Sequence, residues 1–159
     1  MKTSLVARSL VGLLIVAAAS GSAQQPQTFV ATLTGKDATP PVNTNALGTA
    51  TLMIQNGTLK YKLEVGSIKQ VTGACIHLDT PKKGPVAITL YTGPEIGELT
   101  GVLASGALKP EDLGGMTLPE LLSSIREGKA YVSVHTASYP GGEIQGKLAV
   151  ANAPRSAGG

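Results

Sequence analysis

Between Thr49 and Val65 the chain reads TATLMIQNGTLKYKLEV, an alternation of apolar and polar residues interrupted once, at Asn56-Gly57. That dipeptide is the preferred filling of a two-residue type I′ hairpin turn. With it at the tip, Gln55 stands opposite Thr58, Ile54 opposite Leu59, Leu52 opposite Tyr61 and Ala50 opposite Leu63. All but the tip pair are apolar and share one face. Met53/Lys60, Thr51/Lys62 and Thr49/Glu64 share the other. Turn chemistry and alternation give the same register independently. Asn56-Gly57-Thr58 is also a glycosylation sequon, but the turn already accounts for these residues.

Further strands follow the same rule. FVATLT spans Phe29 to Thr34. GACIHL places Ala74, Ile76 and Leu78 on one face. VAITLY does the same with Val86, Ile88 and Leu90, and GVLAS around Val102 is a weaker candidate. AYVSVHT sets Ala130, Val132 and Val134 against Tyr131, Ser133 and His135. GEIQGKLAV sets Ile144, Leu148 and Val150 inward, with Glu143, Gln145 and Lys147 outward, and pairs with AYVSVHT through the loop ASYPGG. One helix interrupts the strands. Thr117 with Glu120 forms a capping box, Pro119 fits the first turn, and Gly128 stops the helix. Leu118, Leu121, Leu122 and Ile125 make its apolar stripe. The expectation is an all-β fold of about eight short strands, a Greek-key sandwich or closed barrel, with one short helix near 117–127 closing an end.

The first residues do not belong to this pattern. Lys2 and Arg8 precede the apolar run Leu10–Ala19, which is too short to span a bilayer as an anchor. Small residues ending at Ala23 follow. Residues 1–23 read as a secretory signal peptide, leaving a domain over 24–150 and a patternless, disordered tail over 151–159. No cysteine stands at the cleavage point, which argues against a lipoprotein. The expected location is secreted or periplasmic, with no membrane association after cleavage.

Removing the leader changes the charge. The whole chain has 13 Lys+Arg and 10 Asp+Glu, net +3; without Lys2 and Arg8 the balance is 11 against 10, net +1. With no Trp, one Phe and four Tyr, the chain lacks the aromatics of a base-stacking platform. Nucleic-acid binding is not expected. A single cysteine cannot form an internal disulfide, so stability must come from packing.

That cysteine is the chemical question. In GACIHLDTP, Cys75 and His77 share the face opposite Ala74, Ile76 and Leu78. Asp79 continues the same face. His135 lies on the non-core face of its own strand. If the two strands are neighbours, a thiolate and two imidazoles converge, a ligand set suited to copper or zinc. Glu143, just past the loop from His135, is then a supporting partner for the imidazole, and Asp79 a reserve ligand. Two other readings stand beside this one: Cys75 as a small packing residue with both histidines bonded to neighbours, and an intermolecular disulfide through an exposed thiol.

Three stretches together resemble the chordin-type, or CHRD, domain found in secreted proteins. They are FVATLTGKDATPPVNTNALGTATL, IHLDTPKKGPVAITLY and LLSSIREGKAYVSVHTASYPGGEIQGKL. The resemblance covers roughly Phe29 to Val150, and GxAYVxVHTxxxPxGEIxGxL is its specific part. It implies an immunoglobulin-like or dismutase-like β-sandwich, in agreement with the strand pattern. In animal proteins such domains occur in antagonists that bind growth factors, but no growth-factor motif is visible here. The family commonly reads His-Ile-His where this chain has Cys75-Ile76-His77, and its later histidine matches His135.

Enzyme readings find little support. Copper–zinc dismutases need more histidines than the two present. Along a strand Cys75 and His77 stand about 7 Å apart, too far for direct proton transfer. Ser123, Ser124 and Ser133 lie in no nucleophile elbow. Lys82-Lys83 reads as a solvated turn and Tyr139 as an ordinary exposed aromatic. The expectation is a secreted, non-enzymatic module that binds an unidentified extracellular protein or surface and carries a mononuclear copper or zinc site. A metal-free adhesion or matrix module and a copper redox or electron-transfer protein are the alternatives.

Overall fold

The computed structural model describes residues 26–80 and 84–151, without the side chains of residues 79, 80 and 84–86. The expectations for the leader, for Lys82-Lys83, for the tail beyond Ala151 and for the side chains of Asp79 and Val86 therefore lie outside the described residues.

The chain forms β1 (Gln27–Thr34), β2 (Leu47–Gln55), β3 (Thr58–Thr80), β4 (Gly84–Leu108), a 3₁₀ turn (Pro110–Leu113), α1 (Leu118–Arg126), β5 (Ala130–Thr136), β6 (Ile144–Lys147) and β7 (Ala149–Val150). Strands β2, β1, β6, β5 and β3 pair in that order, and the β2–β3 hairpin closes them into an antiparallel five-stranded barrel. β4 runs along β3 outside the ring, and β7 adds to β1. Of the two arrangements open to the sequence, the chain takes the closed one. Among the described residues no helix is long and apolar enough to cross a membrane.

The β2–β3 hairpin has the expected register, from Gln55 opposite Thr58 through Ala50 opposite Leu63 and Thr49 opposite Glu64. Asn56 and Gly57 take φ of 51° and 75°, as a type I′ turn demands. Leu52, Leu63, Ala50 and Leu59 are buried in the barrel. Each leucine sealed there contributes about 1.5–3 kcal/mol.

The expectation of about eight short strands is corrected by β3 and β4, which run 23 and 25 residues. Straight strands of that length would extend roughly 75 Å, far beyond the size of one domain. They bend instead. The β3–β4 register shifts at Leu63/Glu64, Val65/Ile68, Val71/Gly73 and Ala74/Cys75, and Ser67 and Gln70 take φ of 55° and 53°. Bulges of this kind increase local twist and turn a strand. The first half of β3 pairs with β2 and the second half with β5, so one strand serves two walls of the barrel.

At α1 the capping box forms as the sequence predicts: Thr117 N–H donates to Glu120 Oε2 (2.7 Å) and Glu120 N–H to Thr117 Oγ1 (3.4 Å). The helix ends in a Schellman pair, Gly128 N–H to Ile125 O (3.0 Å) and Lys129 N–H to Ser124 O (2.9 Å). Leu121 and Ile125 are buried, with Leu118 and Leu122 packed beside them. The apolar stripe is core.

The β5–β6 pairing is as expected, Val134 opposite Ile144 through Tyr131 opposite Lys147. At three positions the exposure differs from the expectation. Glu143 and Gln145 are buried, at 8% and 7% exposure, and Val150 is 46% exposed. Gly142 takes φ of 116°, and Glu143 N–H donates to the carbonyl of Val134, which also stands opposite Ile144; from Ile144 on the expected facing holds, with Gln145 on the outer face opposite Ser133 but covered. After Lys147 the chain leaves β5 for β1, with Val150 opposite Phe29, and the alternation breaks again at Leu148. A side chain at Gly146 would collide with the Thr32 carbonyl, so glycine permits the close approach of β6 to β1 that closes the ring.

Candidate metal centre

Ala74, Ile76 and Leu78 of β3, with Val132 and Val134 of β5, fill the barrel. Alternation then forces Cys75, His77 and His135 onto the outer face. The β3–β5 register sets Gly73 opposite His135, Cys75 opposite Ser133 and His77 opposite Tyr131. Strand adjacency, the condition that the sequence left open, is met. One donor atom from each of Cys75, His77 and His135 lies within 4.8 Å of the other two, and all three residues are half-buried. The strand rise of about 7 Å separates the Cα atoms of Cys75 and His77. Their side chains lean together well inside that distance. His135 reaches across Ser133 toward them, and its ring meets that of His77 edge-on at 5.7 Å. Gly73, opposite His135, puts no side chain in the way.

The surroundings hold each ligand in place. The His77 ring stacks on Tyr131 at 5.1 Å with 20° between planes. His135 Nδ1 lies 2.8 Å from Pro140 O. A carbonyl oxygen only accepts, so Nδ1 carries the hydrogen and Nε2 keeps a lone pair available to a metal ion. Cys75 is hydrogen-bonded to Thr89, its ladder partner on β4.

The role expected of Glu143 is corrected. Its carboxylate accepts from Thr44 Oγ1 (2.6 Å) and Thr136 Oγ1 (2.9 Å). Thr136 alternates away from His135, and Gly142 turns Glu143 toward it. The partner of the imidazole is the Pro140 carbonyl, a backbone group in the ASYPGG loop that no side-chain pattern announces. Glu143 instead ties the loop carrying Thr44 to the end of β5. Asp79, the reserve ligand, has no described side chain. Tyr131, Thr89 and Ser133 were recognisable only as outer-face residues, because their contacts depend on strand order.

The titration behaviour follows from this packing. Burial raises the Cys75 thiol above its ordinary value of 9.0, and the Thr89 hydrogen bond pulls it back in part. Burial, and then the like charge of His135, lowers His77 below 6.5. At neutral pH the cluster is a protonated thiol beside a neutral His77 imidazole. Such a thiol is a poor nucleophile. A metal ion that displaces its proton gains one thiolate and two imidazole donors. Bonds of about 2.0–2.3 Å to a shared ion would draw the ligand atoms closer than the 4.8 Å within which they lie.

No curated protein and no solved structure matches this chain. The profile of the CHRD domain matches residues 29–148. That span holds the whole barrel wall around the cluster, and the chain belongs to the CHRD domain family.

Proposed function

We propose that this chain is an exported, non-enzymatic CHRD module that binds one copper or zinc ion through Cys75, His77 and His135. The observation that carries the reading is the convergence of three ligand atoms within 4.8 Å from two strands joined only by the fold. Thiolate with imidazole is a soft-to-borderline donor set that suits copper and zinc rather than magnesium or calcium. When bound, the metal supplies a charge centre on the outer face of the barrel. The protein's part is to hold His77 against Tyr131, to fix the His135 tautomer and to shield the thiol. The same His₂Cys donor set favours a second reading, a copper electron-transfer protein, since trigonal sites of this composition form blue-copper centres.

Titration of reduced apo-protein with Zn(II) or Cu(I) is expected to saturate at one equivalent and to protect Cys75 from alkylation. No protection at several equivalents of either ion would leave the metal-free adhesion module as the better account. An intense visible band on Cu(II) loading, reversible on reduction, would select the electron-transfer reading. Export is tested separately: intact mass of the protein released by its host should begin at Gln24 within a few residues, and a retained Met1 would exclude it.

A further inference from the structure

The reading of Cys75, His77 and His135 as ligands leaves one buried group unexplained. Ser133 has no solvent exposure, and its Oγ is the one buried side-chain polar atom without a hydrogen-bond partner among the described residues. A buried hydroxyl without an acceptor is costly, and a strand interior accepts alanine or valine in its place without that cost. Ser133 lies between His135 and Tyr131 on the outer face of β5, directly opposite Cys75. On its far side Cys75 stands opposite Thr89, to which it is hydrogen-bonded. The sulfur is therefore flanked in the ladder by two hydroxyl residues, of which one is engaged and one is idle. The loop backbone covers the idle one so closely that a side chain at Gly142 would collide with Ser133 Oγ.

A thiol is a weak acceptor, but a metal-bound thiolate carries charge and takes hydrogen bonds from hydroxyl groups. Serine has three staggered χ1 positions, so the hydroxyl can turn while the backbone keeps Ser133 opposite Cys75. Building on the metal-site reading, we propose that Ser133 Oγ–H donates to the Cys75 thiolate in the metal-loaded protein. It is a positioning residue that sets the donor strength of the sulfur, not a ligand. Such partners of metal ligands typically alter affinity by about 10–100-fold. Ser133 and Thr89 would then hold the sulfur from both sides, as Tyr131 and Pro140 hold the imidazoles.

The test is Ser133→Ala, with Cys75→Ser measured in parallel. Expected are an apo-protein that melts no lower than wild type, a loss of affinity for Zn(II) or Cu(I) of about tenfold, and a shifted thiolate-to-metal charge-transfer band in Co(II)-loaded protein. Wild-type affinity with an unmoved band would overturn the proposal. So would an alanine variant that fails to fold or melts lower, since that assigns the hydroxyl to structure. If Cys75→Ser also binds like wild type, the metal site itself is wrong. If Cys75→Ser loses binding while Ser133→Ala does not, only the role of Ser133 falls.

Discussion

The two halves of β3 present the same kind of surface, the outer face of a barrel strand backed by β4, and fill it differently. Between Thr58 and Gly66 that face carries Lys60, Lys62 and Glu64, with Lys62 Nζ bridging to Glu64 Oε1 at 2.8 Å and both side chains about half exposed. Between Gly73 and Leu78 it carries Cys75 and His77, with His135 and Tyr131 beside them. The first half is what a solvated strand face looks like, because charges there stay hydrated and no partner is essential. The second half withdraws a thiol and two imidazoles partly from water and packs their donor atoms together. Desolvating groups that prefer water has a cost, and the stretch that bears it is the candidate for chemistry.

The largest predicted contrast between the halves is in metal affinity. Cys75→Ser and His135→Ala should each weaken Zn(II) or Cu(I) binding by more than about 100-fold, beyond the range of supporting residues. Lys62→Ala with Glu64→Ala should leave it unchanged. Comparable losses in both sets, followed by competition against a chromophoric chelator, would mean that general surface charge and not a defined site binds the ion.

A second contrast concerns stability. Gly57→Val forces a β-branched residue into positive φ at the tip of the first half and should cost about 1–3 kcal/mol in denaturant unfolding. Metal affinity of the folded variant should not move. An unaltered midpoint would show that the tip tolerates a conformation other than type I′.

The third contrast is in pH. The folded state holds His77 below 6.5, so the unfolded chain takes up that proton first as pH falls. The contribution of this residue to stability is complete above pH 6.5 and declines as pH drops through that value toward the folded-state pKa. Apo-protein should therefore lose more melting temperature between about pH 7.5 and pH 5.5 than His77→Gln does. Equal losses would place His77 in a solvated setting like that of the first half.

The smallest effect belongs to the Lys62–Glu64 pair. An exposed bridge is worth about 0–1 kcal/mol, so the double alanine variant should unfold within roughly 0.5 kcal/mol of wild type. A larger loss would mean that the two halves differ less than their exposure implies.

What the sequence makes legible follows the same division. The first half of β3 and its hairpin are written in local signals: Asn56-Gly57 at the tip and strict alternation on either side. The helix is equally local, since Thr117, Glu120 and Gly128 state its ends. The second half depends on contacts distant in sequence. Alternation puts Cys75, His77 and His135 on outer faces, but only the strand order brings His135 beside the other two. Gly66 and Gly73 read as strand ends, yet β3 runs through both by bulging. Glu143 reads as an outward residue because the positive φ of Gly142, next to the irregularity that carries Glu143 to Thr136, is indistinguishable in sequence from an ordinary loop glycine. The Pro140 carbonyl and the idle Ser133 hydroxyl carry no signal of their own.

X-ray absorption at the zinc edge of protein loaded with one equivalent tests the central claim most directly. The account predicts one sulfur at about 2.3 Å and two imidazole nitrogens at about 2.0–2.1 Å, with the sulfur lost in Cys75→Ser and one imidazole lost in His135→Ala. A first shell of oxygen alone, or one without sulfur in the wild-type protein, would contradict it.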